Sequence, residues 1–546
     1  MSTATRGGDL ELLSGGEIHG AGVTTTGTGR LVISGGSLIT TTGGFGVSTG
    51  GVLMNDGTAT FSGAVTANGS NGSSVSAPLL LNGGAFTAPS INLGRTGANI
   101  QVEPTEAPMN TNLYIGGGQV NLTGNLDIGT TAASNSTVVT RVDAGSLTVA
   151  GVTTVAINNG GRWSILDVNG GTFTSTNVES GVFIGGATVG KSAFLVRSGA
   201  ATVEKLQIGQ GAIDGTGLVN VTGGDLYVGS GGILKSSTGP AYLAELRLTG
   251  GTLAAKADWS SSLPVNVAGV VTSKIKAADI NGNPFNITLS GNLTGTGSLE
   301  KLGTGMLTLS GGHAYEGLTL VSEGTLKLTN NTFPDVAFVT ISNGATLNLD
   351  FSGGDKVQGL TINGSAQPNG IYGRIGTNVP GVTETAAITG NGRLYVNVDI
   401  PSGSPYDAWA SLPANGLNGS NNGAGQDPDA DGIANLLEFV LGGNPSVSSP
   451  NILPSLVVNA TSFVYTFNRN DDSETEAPLV FQWGTTLAAW PNQVSIGAAS
   501  TPADVNGVTV NVAEGTPASA PDVINVTVPR TNAPGGKLFG RLRAVK

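Results

Sequence analysis

The sequence predicts an all-β chain, a parallel β-helix (a solenoid of stacked coils) followed by a small β-sandwich. Three observations carry this. Runs of three or four alternating apolar residues recur between glycine-bearing breaks, as in Met306–Leu309, Leu318–Val321 and Leu326–Leu328. Strands this short hold only when each coil stacks on the next and the inward side chains line one core. The 88 glycines, about twice the usual share, follow no period of three and come with many Val, Ile, Leu and Thr. Beyond residue 447 the alternating runs lengthen to five or six residues, as sandwich strands do.

From the start to about Ala257 a loose repeat recurs. One half is an apolar alternation ending in a glycine pair, as at Leu31–Gly36, Leu166–Gly171, Val219–Gly224 and Leu246–Gly251. The other half is apolar, spacer, Ile or Val, then Gly, at Leu113–Gly116, Leu126–Gly129, Val182–Gly185, Leu206–Gly209 and Leu226–Gly229. Copies ending at Gly185, Gly209 and Gly229 lie 24 and 20 residues apart, a spacing that suits one coil per copy. Residues 258–294 are less regular. Strand patterning resumes over 339–398 as closing coils, so the solenoid is expected over 1–400. A segment rich in Pro, Ser, Gly and Asn reads as a linker over 401–446, with a short helix at Tyr406–Ala410 and a second over Ile433–Leu441 stopped by Gly442 and Gly443. Alternating runs at 463–467, 479–483, 508–512, 523–528 and 538–542, with two weaker ones, make a seven-strand sandwich over 447–546.

One stretch is more specific. Residues 295–328 carry Gly297, Leu299, Lys301, Gly303, Gly305, Leu307, Leu309, Ser310, Gly311, Tyr315, Gly317, Gly324, Thr325 and Leu326. In this order they closely resemble the autotransporter-associated β-strand repeat of bacterial surface-protein passenger regions, with His313 where that family usually has Asn. The resemblance implies a secreted, right-handed β-helix and names no ligand. The tail, through Phe467–Ser473 and Gly536–Leu542, also resembles the C-terminal module that accompanies such repeats.

The strongest site is the loop from Asp427 to Glu438. It offers side-chain oxygens at Asp427, Asp429 and Asp431, a glycine at Gly432, the backbone carbonyl of Ile433, then Asn435 and Glu438. This is the twelve-residue calcium-loop spacing at every diagnostic place. Alternating Asp residues wrap three carboxylates round one point, Gly432 permits the sharp turn, and Glu438 would reach back bidentately from the exiting helix. The upstream segment is no helix, so the loop resembles those of dockerins and thrombospondins, and Ca2+ is the expected cofactor. The plainer reading is a solvated acidic loop before an N-capped helix.

Composition excludes several classes. The net charge of −12 without a Lys/Arg cluster argues against nucleic acid. Absence of cysteine removes disulfides and thiol chemistry. No apolar run reaches the roughly 18 residues of a membrane span. Met1–Arg6 lacks an apolar signal core, so the chain is expected to be a mature form, extracellular or on the outer cell surface. His19 and His313 read as solvated turn residues. Asp127, Asp143, Asp167, Asp214 and Asp225 look scattered, so no enzyme is expected. Phe481 and Trp483 alternate onto one face as core, and Asp471–Glu476 reads as a solvated hairpin tip. The expectation is a structural or adhesive surface protein, forming a homo-polymer through β-edges or rod ends or meeting surface glycans. The alternative is a protein that binds or degrades polysaccharide.

Overall fold

The structure is a computed structural model. It describes the chain except residues 1–2, 7–8, 26–29, 44, 48–50, 70–78, 96–110, 130–136, 157–162, 186–189, 210–213, 238, 240, 270, 378, 380, 401–403, 419, 475, 516–519 and 546. The chain is nearly all β, with only two short α-helices among the described residues. It divides into two compact units, Met1–Lys327 with Val339–Ala345, and Leu328–Phe338 with Thr346–Lys546.

In the first unit each strand pairs in parallel with the strand about two dozen residues further on, the step a stacked repeat gives. Leu113 faces Thr140, Thr140 faces Leu166, Leu166 faces Phe194, Phe194 faces Val219, and Val219 faces Leu246. Among the described strands of this unit the exception is at the start, where Thr3–Arg6 runs antiparallel to Asp9–Leu13. A second, nine-stranded parallel sheet runs from Val23–Thr25 to Ile233–Lys235. Parallel register puts like residues above like. Ile33, Met54, Leu81, Ile115, Val142, Val168, Val196, Val221, Leu248 and Val267 form one inward column, all buried. Each such aliphatic contributes about 1.5–3 kcal/mol by leaving water, so the column is a principal source of stability.

The structure corrects two details of the repeat. Two of the glycine pairs end a strand as expected, Asp214–Val221 stopping before Gly223 and Ala241–Leu248 before Gly250. Leu31–Thr40 and Trp163–Ser175 instead run through theirs, the latter with a register shift at Asn169. Glycine is needed there for steric reasons: a Cβ at Gly170 would stand 2.3 Å from the carbonyl oxygen of Asp143. The single glycines of neighbouring strands are as crowded, Gly145 at 2.1 Å from the Gly118 carbonyl oxygen and Gly199 at 2.2 Å from that of Gly171. Glycine lets successive paired strands approach at a bend, with φ near +70° at Gly145 and Gly199 (71 and 72). Second, the copies with spacings of 24 and 20 do not share one column. Val182–Ile184 pairs with Leu206–Ile208, which pairs onward with Ile233–Lys235. Leu226 instead stacks between Ala201 and Leu253 in the other sheet. Both segments alternate before a glycine, so the pattern alone cannot separate two columns.

The second unit begins with short strands. Thr346–Leu349 pairs with Ile388–Gly390, and Gly354–Val357 with Arg393–Val396. Two antiparallel sheets follow. One has the order 455–458, 462–469, 522–529, 509–513, and the other 492–496, 479–484, 539–544. Inward alternation brings Phe463, Tyr465, Phe467, Phe481, Trp483, Ile524, Val526 and Val528 into one core, with the Tyr465 and Phe481 rings 4.7 Å apart. The first helix, Pro405–Ala410, begins with a capping box between Ser404 and Asp407. Its Tyr406 and Trp409 are buried against Phe439 of the second helix, so this part of the expected linker is packed. The second helix spans Asn435–Leu441, two residues shorter at its start than the periodicity predicts.

Candidate metal centre

The Asp427–Glu438 loop is held by its own carboxylates. Asp427 accepts from the Asp431 and Gly432 amides at 3.2 and 2.9 Å, and Asp429 shares the Asp431 amide at 3.2 Å. Asp431 accepts from the Ile433 amide at 2.9 Å and, across the loop, from the Ser449 amide at 2.6 Å. Gly432 takes φ +89° as the motif requires, and Ala430, which no motif singles out, is also left-handed at +59°. A non-glycine residue there is uncommon, and the dense carboxylate–amide bonding around it over-determines the turn.

These turns bring one oxygen from each of Asp427, Asp429 and Asp431 within 4.8 Å of one another. Ile433 sits at the turn with its side chain buried. Asn435 opens the helix. Its Nδ2 donates to the carbonyls of Asn421 and Gly423, at 2.9 and 3.0 Å, and its Oδ1 is buried without a partner. Glu438 is fully buried, and neither of its oxygens has a hydrogen-bond partner; one oxygen of Asp429 is likewise orphaned. Glu438 lies outside the close trio, yet the trio bears on it. Burial, then the charges of Asp429, Asp431 and Asp427, push its carboxyl up to about 8. Burial and the same neighbours raise Asp429.

Buried carboxylate oxygens without donors are costly, and several such groups round one point share one remedy, a hard cation with oxygen ligands. The donor set therefore fits Ca2+. The plainer reading expects an N-capped helix; the N-cap is Ala434, with no side-chain cap bond.

Elsewhere, three expectations are corrected. His313 is not a solvated turn residue. It lies in the His313–Tyr315 strand, directly over Leu293, and is buried with both ring nitrogens unpartnered; desolvation lowers it to about 4. Parallel register forces it inward. His19 is exposed beside Glu17 as expected, but lies in the Glu17–Gly20 strand and not in a turn.

Asp143 and Asp167 are not scattered. Register carries Tyr114, Arg141 and Asp167 onto successive strands, where Arg141 contacts Asp143 at 2.5 Å and Asp167 at 3.7 Å, and Arg197 donates to Asp167 at 2.9 Å. Asp167 is fully buried and its carboxyl is raised by desolvation against the pull of Arg197 and Arg141. Next to this network is a groove of about 350 Å3 lined by Arg197, Asn220, Thr222, Arg247, Thr249 and Asn266.

Asp471–Glu476 is not a free tip. Asp472 pairs with Arg393 at 2.5 Å, Glu474 with Arg469, and Glu476 accepts from the Tyr406 amide at 2.6 Å. Phe481 and Trp483 are core, and Trp490 stacks under Arg541 at 4.6 Å.

One residue escaped sequence reasoning as a buried charge. Lys301 occupies the inward column Ile275–Lys301–Val321–Ile341. Fully buried, its ammonium donates to the carbonyls of Gly303, Gly305 and Glu323 at 2.5, 2.7 and 2.8 Å. Its place in the repeat pattern was the signal available.

Comparison with known proteins touches parts of the chain. The family model for the passenger-associated-transport-repeat matches residues 299–328. The adhesin BmaC autotransporter of Brucella suis biovar 1 (strain 1330) is 35% identical over 117 residues, which is 20% of this chain and 3% of the adhesin. The chain thus spans a small fraction of that relative's length. No solved structure matches the chain. Among the described residues, no helix is long and apolar enough to cross a membrane.

Proposed function

We propose that the chain is a structural and adhesive passenger of a bacterial cell surface, acting mechanically and without catalysis. In this reading residues 1–400 are a right-handed parallel β-helix whose coils rise about 4.8 Å each. Residues 401–446 hold a calcium loop that stiffens the junction, and 447–546 form a β-sandwich tail. The observation that carries it is the long parallel register of like residues, in a chain with a passenger transport repeat and likeness to an adhesin. Asp427, Asp429 and Asp431, with Ile433, Asn435 and Glu438 behind them, hold Ca2+. Copies polymerise through β-edges or rod ends, outside the cell or on its outer surface.

Negative-stain electron microscopy in calcium and then in excess chelator tests this. Rods that join into fibres in calcium and come apart in chelator support it. Globular particles in both conditions overturn it.

A second reading, polysaccharide binding, is favoured by the Arg197–Asn220–Arg247–Asn266 groove, whose guanidinium, amide and hydroxyl groups suit sugar hydroxyls and carboxylates. Retention on an acidic-glycan column that is lost in Arg247→Ala supports it, and passage without delay removes it.

A further inference from the structure

We propose that the Ser455–Val458 strand is a self-association edge, pairing antiparallel with the same strand of a second copy so that two four-stranded sheets become one of eight. This names the edge for the self-assembly proposed above and rests on that reading.

The strand is the last of its sheet, with Ser462–Arg469 as its neighbour. All four of its residues are exposed, Leu456 at 46%, Val457 at 60% and Val458 at 50%. Register shows why this is unusual. Leu456 lies opposite Tyr465 and Val458 opposite Phe463. Both aromatics point into the core and are buried, so Leu456 and Val458 lie on the core side of the sheet, yet nothing covers them. Val457, opposite Val464, is apolar on the outer side as well. Proteins usually blunt such an edge with a lysine, an inward charge, a bulge or a proline. Here the strand has none of these. Pro454 only ends the edge at its start, limiting pairing to the short strand itself.

Charge selects the occupant. The chain carries −12, so copies repel over most of their surface. From Phe439 to Asn468 there is no charged residue, so here two copies approach without like charges facing. Arg530 stands beside the end of the strand, donating to the Asn459 carbonyl at 3.3 Å and lying over the Phe463 ring, and two-fold antiparallel pairing sets the two copies' Arg530 at opposite ends of the joined edge. A second copy brings an uncharged, aliphatic edge already extended, and two-fold antiparallel pairing sets its Leu456 and Val458 beside those of the first. The contact is small. Four residues a side bury well below the roughly 1,200 Å2 of a stable interface, so it is weak between two free copies and strengthens where many are held together.

The chain has no cysteine, so Ser455→Cys carries a single spin label, and inter-copy distances are measured on the full chain by pulsed electron resonance over a concentration series. A short distance whose population grows with concentration is expected. Adding Val457→Lys should weaken that association about tenfold or more with an unchanged melting curve, and Val457→Thr should retain it. Fibres without the short distance overturn this edge and leave the assembly reading standing. Neither fibres nor the short distance overturns both. A short distance that survives Val457→Lys shows contact elsewhere and overturns the edge.

Discussion

Lys301 and Glu438 are both fully buried ionisable groups, and they differ in what surrounds the charge. Lys301 has three carbonyls and, beyond them, Glu323, whose carboxylate accepts from the Gly303 amide at 2.8 Å. Lys301→Met keeps the shape and strands those carbonyls, so a loss of about 2–4 kcal/mol in urea unfolding at pH 7 is expected. Burial lowers Lys301 to about 8 from 10.5, with Glu323 opposing. Between those values the unfolded chain holds the proton more firmly than the folded one. Stability from this group therefore rises with pH across that window, by at most about 1.4 kcal/mol per pH unit. The Lys301→Met chain should lack that slope in the same titration. Glu438 has no donors at all. In Glu438→Gln the cation-free protein should melt higher at pH 7, since folding no longer has to put a proton on a carboxyl that burial and three aspartates push up to about 8. Its calcium affinity by calorimetry should fall about tenfold or more. Equal affinity in the variant would remove Glu438 from the cation's ligands.

At the scale of elements, the glycine bends decide whether neighbouring strands can approach. Gly199→Val places a branched side chain against the Gly171 carbonyl at positive φ. A cost of about 2–4 kcal/mol or failure to fold is expected, whereas Gly269→Val, at positive φ but with open space around its Cβ position, should cost only the backbone term. Circular dichroism melts of the pair separate packing from backbone strain. The same bends mark the limit of what the sequence disclosed. Period and alternation predict short strands and in–out faces, because a buried aliphatic every second residue is needed wherever a strand lies. Which column a strand joins depends on coil length, and Leu-Tyr-Val-Gly at 226–229 reads the same as Leu-Gln-Ile-Gly at 206–209. His313 was misjudged, and the burial of Lys301 missed, for a related reason. Polarity suggests solvent, but parallel register fixes the face, and backbone carbonyls near Lys301 make an inward charge tolerable. The acidic loop was legible because its chemistry is local: twelve consecutive residues supply the turn and the oxygens.

For the whole chain, calcium is expected to act on the second unit. Asp431 ties the loop to Ser449, and Asn435 ties it to Asn421 and Gly423, so chelation should loosen residues 417–452 together. Limited proteolysis should cut there in chelator and spare the site in calcium; unchanged digestion would mean the loop needs no ion. In the β-helix proposed above, parallel stacking has a further consequence under force. A pull applied at one end of the stack loads the hydrogen bonds of the outermost coil alone, so coils peel in turn and do not rupture at once. Each release frees about two dozen residues, roughly 80 Å of slack. The stack would yield by small, repeated steps and shorten again as each coil re-forms on the one beneath, a constant-force spring in place of a brittle strut.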